Sequence, residues 1–150
     1  MDLKKFNEII DFAIAREKEA IQFYQGLQKE VKFDAQKDLL KSFEDMEQGH
    51  VDILESIRNM KFENIKVPEV DDLKIANYVV EIEPSPDMSY QDIIIMAMKR
   101  EEAANKLYTA MAEQVGNAEI KKLFEKLASE EAKHKLHFEK IYDKEVLTDN

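Results

Sequence analysis

Six side chains able to ligate a metal recur in a fixed pattern along this chain: Glu17, then Glu47 with His50, then Glu101, then Glu131 with His134. Glu17 and Glu47 are 30 residues apart, as are Glu101 and Glu131, and each second Glu is followed three residues later by a His. Residues three apart lie on one face of a helix, so each Glu-x-x-His can bring a carboxylate oxygen and an imidazole nitrogen to the same point. Oxygen and imidazole donors together suit iron or manganese, and zinc remains open on ligand type. One Glu-x-x-His is common by chance on charged helices. Two of them, each 30 residues after another Glu, form a far more specific pattern.

Such side chains converge only if long helices carry them inward. Apolar periodicity predicts four helices, at residues 2–30, 35–59, 89–115 and 117–143. Asp2 is the expected first N-cap, Ser89 with Asp92 resembles a capping box, and Gly116-Asn117 should end the third helix and begin the fourth. Residues 60–88 hold all three prolines and break the periodicity, apart from a short amphipathic piece near 71–80. This reads as a crossover between two hairpins, 2–59 and 89–143, within a single domain of 150 residues.

Shifting the chain by 84 residues aligns the first hairpin on the second without a gap. Phe6, Ile10, Arg16, Glu17 and Tyr24 fall on Tyr90, Ile94, Arg100, Glu101 and Tyr108, and Phe43, Glu47, His50 and Leu54 fall on Leu127, Glu131, His134 and Phe138. Recurring apolar positions are what any two amphipathic hairpins show. The matched Glu, His, Arg and Tyr are not.

The inward seam of each helix alternates steps of four and three. On the first it runs Phe6, Ile10, Ala13, Glu17, Ala20, Tyr24, Leu27, Val31, and on the third Tyr90, Ile94, Ala97, Glu101, Ala104, Tyr108, Met111, Val115. With a turn near residue 32, Glu17 and Glu47 each lie about 15 residues, or ~22 Å, from the same end of their hairpin. The midpoint of Glu101 and Glu131 is Gly116, where composition independently places a turn. All four carboxylates are therefore expected at mid-depth.

Burying a lone charge costs on the order of tens of kcal/mol by Born reckoning, or forces it to neutralise. No Lys or Arg stands at a central seam position, so the compensating charge must come from elsewhere. Two divalent cations would balance four carboxylates and leave both imidazoles neutral and free to coordinate. A two-metal site is the expectation, in the arrangement known for di-iron and di-manganese carboxylate bundles.

At these residues the chain resembles the ferritin-like superfamily and, within it, the rubrerythrin-like di-iron proteins. The carriers are Glu17-Lys18-Glu19-Ala20-Ile21-Gln22-Phe23-Tyr24, Glu47-Gln48-Gly49-His50, Glu101-Glu102-Ala103-Ala104-Asn105-Lys106-Leu107-Tyr108 and Glu130-Glu131-Ala132-Lys133-His134. The resemblance implies an all-α, ferritin-like four-helix bundle with a long crossover between its second and third helices. It also implies that Glu47 and Glu131 bridge two metals, that Glu17 and Glu101 are terminal ligands, and that His50 and His134 bind one metal each. Iron is the implied pair, with manganese or mixed iron and manganese as alternatives. Two departures stand out. Rubrerythrins proper carry an extra Glu one turn after the third-helix ligand, where this chain has Ala104, and they usually append a cysteine-ligated rubredoxin domain, whereas these residues include no cysteine. A symmetric six-ligand site is more similar to that of bacterioferritin or a simple ferroxidase.

The expected function is an oxidoreductase that reduces peroxide or dioxygen while its metal pair is oxidised, of rubrerythrin-like peroxidase or ferroxidase type. Electrons would come from an external donor such as a rubredoxin-like protein, and a homodimer is the expected assembly. Two other readings use the same residues: iron storage without turnover, and a metal-stabilised structural bundle. Tyr24 and Tyr108 each follow a ligand candidate by seven residues, which makes them core aromatics or hydrogen-bond partners of a ligating carboxylate. Glu130 could orient a ligating His, and His137, whose repeat partner is Ile53, reads as a structural or surface histidine.

Composition excludes much else. Six Gly and Pro in all, with 36% charged residues, argue against a turn-rich β fold. A net charge of −10 repels phosphate backbones and anionic lipid, which argues against nucleic acid and membrane surfaces as partners. Without cysteine there is no disulfide, thiolate zinc site, iron–sulfur cluster or cysteine nucleophile. Met1 to Phe6 is polar and no run of 18 apolar residues occurs, so a cytoplasmic location is expected.

Overall fold

The computed structural model describes residues 3–59 and 90–147. They form four α-helices, α1 (Leu3–Glu30), α2 (Asp34–Arg58), α3 (Tyr90–Gln114) and α4 (Ala118–Ile141), with a six-residue π-helical segment, Tyr142–Leu147, following α4. No strand occurs among the described residues. The helices expected from periodicity agree to within two residues at each described end. The Asp2 and Ser89 caps, the prolines and the crossover with its short amphipathic piece lie outside the described residues. The described chain divides into two compact units, one carrying α1 and α2, the other carrying α3 and α4 from Lys121 onward.

In the first unit, α1 and α2 run antiparallel. Asp11 pairs with Arg58 at one end, Glu17 faces His50 midway, and Gln28 meets Glu44 toward the other. Between the helices, Val31 N–H donates to Leu27 O at 3.1 Å, and the Phe33 carbonyl accepts from Gln36 and Lys37 N–H, also at 3.1 Å. Phe33 holds the N-cap position of α2 with extended dihedrals and no side-chain cap, so α2 starts one residue earlier than the sequence pattern indicated. Asp34 in the first turn supplies a negative charge at the positive end of the helix dipole. Every seam residue of α1 from Phe6 to Val31 is buried. On α2 the buried set is Leu40, Phe43, Glu44, Glu47, His50, Val51, Leu54 and Ile57.

The second unit repeats the plan. Asn105 Nδ2 donates to the Ala128 carbonyl at 2.7 Å, Tyr108 stacks on Phe124 with ring centroids 6.4 Å apart, and Glu101 faces His134, so α3 and α4 are antiparallel too. Asn117 is the N-cap of α4: its Oδ1 accepts from the backbone N–H of Glu119 at 3.0 Å and of Ile120 at 3.1 Å. The stop-and-start expected at Gly116-Asn117 is therefore a side-chain cap, formed as its residue types require. Ala104, on the third seam, departs from the expected burial and is only half-buried; Ile141, the last residue of α4 before the π-helical segment, is half-buried as well. Gln91 Nε2 donates to Tyr142 Oη at 3.1 Å, which ties the π-helical segment to the start of α3.

Among the described residues no helix is long and apolar enough to cross a membrane. Asn117→Ala removes the cap of α4 and should lower unfolding free energy by about 1 kcal/mol, read by chemical denaturation. Asn117→Ser should keep most of that stability, because its hydroxyl can accept the same bonds.

Candidate metal centre

Each hairpin folds so that small residues flank its first-helix carboxylate. Ala13 and Ala20 lie one turn to either side of Glu17, and Ala97 occupies the same place before Glu101, all of them buried. Their short side chains leave room for a carboxylate to sit between the larger apolar layers above and below. Glu17, Glu47, His50, Glu101, Glu131 and His134 are each only 1–2% exposed. All six residues read from the sequence are thus deep inside, and within each hairpin the structure brings three together.

In the first unit, His50 Nδ1 lies 3.5 Å from Glu17 Oε1 and 3.8 Å from Glu47 Oε1. In the second, His134 Nδ1 lies 3.4 Å from Glu101 Oε2. Within each set, one ligand atom from each of the three residues lies within 4.8 Å of the others. The measured separations exceed the 2.7–3.2 Å of an ordinary hydrogen bond involving N–H. Two ligand atoms bonded to one ion at ~2.1 Å, and subtending 90–120°, stand roughly 3.0–3.6 Å apart. The separations of 3.4 and 3.5 Å fall in that range and the 3.8 Å one lies just beyond it, and two carboxylates with one neutral imidazole carry the charge that one divalent ion cancels. The residues present therefore fit a metal ion in each hairpin. Arg16, adjacent to Glu17, is engaged elsewhere: its guanidinium bonds Glu19 at 2.8 Å and lies 5.0 Å over the Phe12 ring.

The neighbouring residues fall into place differently. Tyr24 and Tyr108 are fully buried aromatics, Tyr24 against Phe43 at 5.8 Å and Tyr108 against Phe124. Glu130 is half-buried on α4. His137 is also half-buried and belongs to neither ligand set. Partial burial holds its imidazole below the ordinary value, with Lys140 and His134 adding to the shift.

One buried acid escaped the seam pattern. Glu44 on α2 is 9% exposed, accepts from Gln28 Nε2 at 3.2 Å and pairs with Lys41 Nζ at 2.6 Å. It stands beside the seam rather than on it, bonded by Gln28 from α1 and by Lys41 one turn earlier on α2. Its spacing of three before Glu47 was the available signal.

The family model for rubrerythrin matches residues 2–84 and 92–150. The chain belongs to the rubrerythrin family. Its fold is accordingly the ferritin-like four-helix bundle, in keeping with four long helices and no strand among the described residues. Searches of curated proteins and of solved structures find no match. Membership in the rubrerythrin family and the buried Glu/His sets together make this a candidate metal-binding protein.

Because the folded state disfavours protonated His137, its contribution to stability is complete above the ordinary imidazole value of ~6.5 and is lost as pH falls toward the lower folded value. NMR titration should place the His137 midpoint below that of a free imidazole, and His137→Gln should flatten this part of the acid limb. The same variant should bind as much metal as the wild type by elemental analysis.

Proposed function

We propose that the two Glu-Glu-His sets together form one di-metal carboxylate centre, most simply di-iron, and that the protein is an oxidoreductase acting on peroxide or dioxygen. The observation that carries this reading is the doubled burial of two carboxylates and one imidazole, at 1–2% exposure, with no Lys or Arg at a central seam position. Membership of the rubrerythrin family supports it, and so does the match to the pattern of one Glu from each of two helices with Glu-x-x-His from the other two. Glu47 and Glu131 are the bridging ligands in this reading, Glu17 and Glu101 the terminal ones, and His50 and His134 bind one ion each.

A redox-active pair of ions supplies the electrons that peroxide or dioxygen accepts. The chain supplies the rest. The carboxylates fix the ions' charge and spacing, each His Nδ1 adds a neutral donor from the same helix face as its Glu, and the apolar layers around Phe6, Ile10, Leu54 and Phe138 exclude bulk water. Electrons to restore the centre come from a separate donor protein. Ala104 favours the ferroxidase side of this reading. Its methyl cannot coordinate, and the position is half-buried rather than enclosed, so the exchange of a carboxylate for a histidine has no carboxylate here.

Glu47→Ala and Glu131→Ala should each lose both ions. The loss of affinity should be at least roughly 100-fold, since even residues behind a ligand are worth 10–100-fold. Elemental analysis reads the stoichiometry, and added Fe2+ should raise the melting temperature of the wild type but not of these variants. Stoichiometry near that of the wild type in either variant would refute the bridging assignment. A reduced wild-type protein inert to both O2 and H2O2 in stopped-flow would refute the enzyme.

A further inference from the structure

The 84-residue repeat fails at a buried carboxylate. On the first hairpin, Gln28, Lys41, Glu44 and Asp45 form a connected polar column; at the matching positions the second hairpin has Ala112, Glu125, Ala128 and Ser129. Ala112 and Ala128 are both buried, so two methyl groups suffice to fill this layer of a hairpin of the same design. Packing alone therefore does not call for a carboxylate at 44. Burying a carboxylate is also costly where two methyl groups would do, because the acid loses most of its hydration.

The column has a direction. Its outer end is Lys41, 56% exposed, whose ammonium is held between Asp45 Oδ1 at 3.2 Å and Glu44 Oε2 at 2.6 Å. Asp45 is exposed and Glu44 is buried. Inward, Glu44, Glu47 and His50 follow at three-residue intervals on the buried face of α2, so neighbouring carboxylates are one turn, or ~5–6 Å between Cβ atoms, apart. One exposed and one buried carboxylate thus hold a half-exposed ammonium one turn outside a set of candidate cation ligands. The pair draws the Lys41 ammonium tightly enough to hold its proton above the ordinary lysine range, the Glu44 bond contributing most.

We propose that Glu44 is a staging carboxylate by which divalent cations pass from solvent to Glu17, Glu47 and His50, each ion displacing the Lys41 ammonium as it arrives. The ammonium swings out to water as the incoming divalent ion takes its place between Asp45 and Glu44, which brings this pair of carboxylates from a net charge of −1 with the ammonium to neutrality with the ion, and the ion then moves one turn inward. No bond to carbon or hydrogen is made or broken. The second hairpin has no equivalent, so loading proceeds through the first. This inference rests on the metal-centre reading but concerns how the centre fills, and its test separates the two.

Apo-protein is mixed with Co2+ alone and the growth of its visible absorption is followed by stopped flow. Glu44→Gln keeps an acceptor for Gln28 but loses the charge, and should slow loading about tenfold, the factor for roughly 1.4 kcal/mol of lost attraction, while the final stoichiometry is unchanged. Lys41→Met leaves the carboxylate and removes the competing cation, and should speed loading. Circular dichroism confirms that both variants are folded. Wild-type rates in Glu44→Gln, or slower rates in Lys41→Met, would overturn the staging role, as would a changed endpoint in Glu44→Gln, which would make Glu44 a ligand. A wild-type chain that takes up no Co2+ would instead overturn the metal centre itself.

Discussion

Taking carboxylates out of water is the most demanding thing this chain does, and the rest of its design answers to it. Glu17 and Glu47 share the interior of one hairpin with a single imidazole, and Glu101 and Glu131 do the same in the other. The surrounding layers are as apolar as those of any helical core, including Phe6, Ile10 and Leu54 in one unit and Ile94, Phe124 and Phe138 in the other. An uncompensated pair of buried charges would oppose folding by several kcal/mol for each ion. A bound divalent cation would reverse the sign of that contribution, which is what makes these acid pairs candidates for metal ligands.

Surface charge plays a much smaller part. Arg58 with Asp11, Lys106 with Glu102, and Lys135 with Glu102 and Glu139 form solvent-facing pairs between or along the helices. The Lys106 bond, followed by the nearby Lys135 charge, holds the Glu102 carboxyl below the usual carboxylate range. Exposed pairs of this kind are worth about 0–1 kcal/mol each, so they orient helices more than they stabilise them. The acidic balance of the chain thus has two origins: a solvated surface on which pairing is cheap, and an interior in which each carboxylate demands a partner.

Much of this was legible in the sequence because it is periodic. Steps of four and three put Glu17 and Tyr24 on one stripe with Phe6 and Leu27, and helical geometry alone then fixes that they are buried together. The α3–α4 turn was legible for a different reason: Gly116-Asn117 combines a residue that ends helices with one that caps them, and the Asn117 carboxamide does cap α4. The start of α2 was less so, since Phe33 has no capping side chain and the boundary is set by its backbone carbonyl accepting from Gln36 and Lys37. Glu44 was missed because its burial is produced by neighbours on two helices, not by its place in a repeat. Ala104 fell on the seam by count but is half-buried. A stripe counted in whole residues specifies a face, and the depth of each position on that face depends on the side chains opposite.

The two hairpins also show which features of the design are interchangeable. Several deeply buried positions are repeated: Glu17 with Glu101, Tyr24 with Tyr108, His50 with His134. Many interior differences exchange one apolar residue for another, as Phe43 for Leu127 and Leu54 for Phe138, but one layer differs in kind. Gln28 and Glu44 stand against Ala112 and Ala128, a hydrogen-bonded amide and acid against two methyl groups. The apolar version is the easier one to fold, because it leaves no charge to be compensated. The polar version is found in one half only, and it reaches the surface through a lysine that the buried acid shares with an exposed one. The two hairpins, alike in their buried Glu-Glu-His sets, are thereby unlike in how this layer meets solvent.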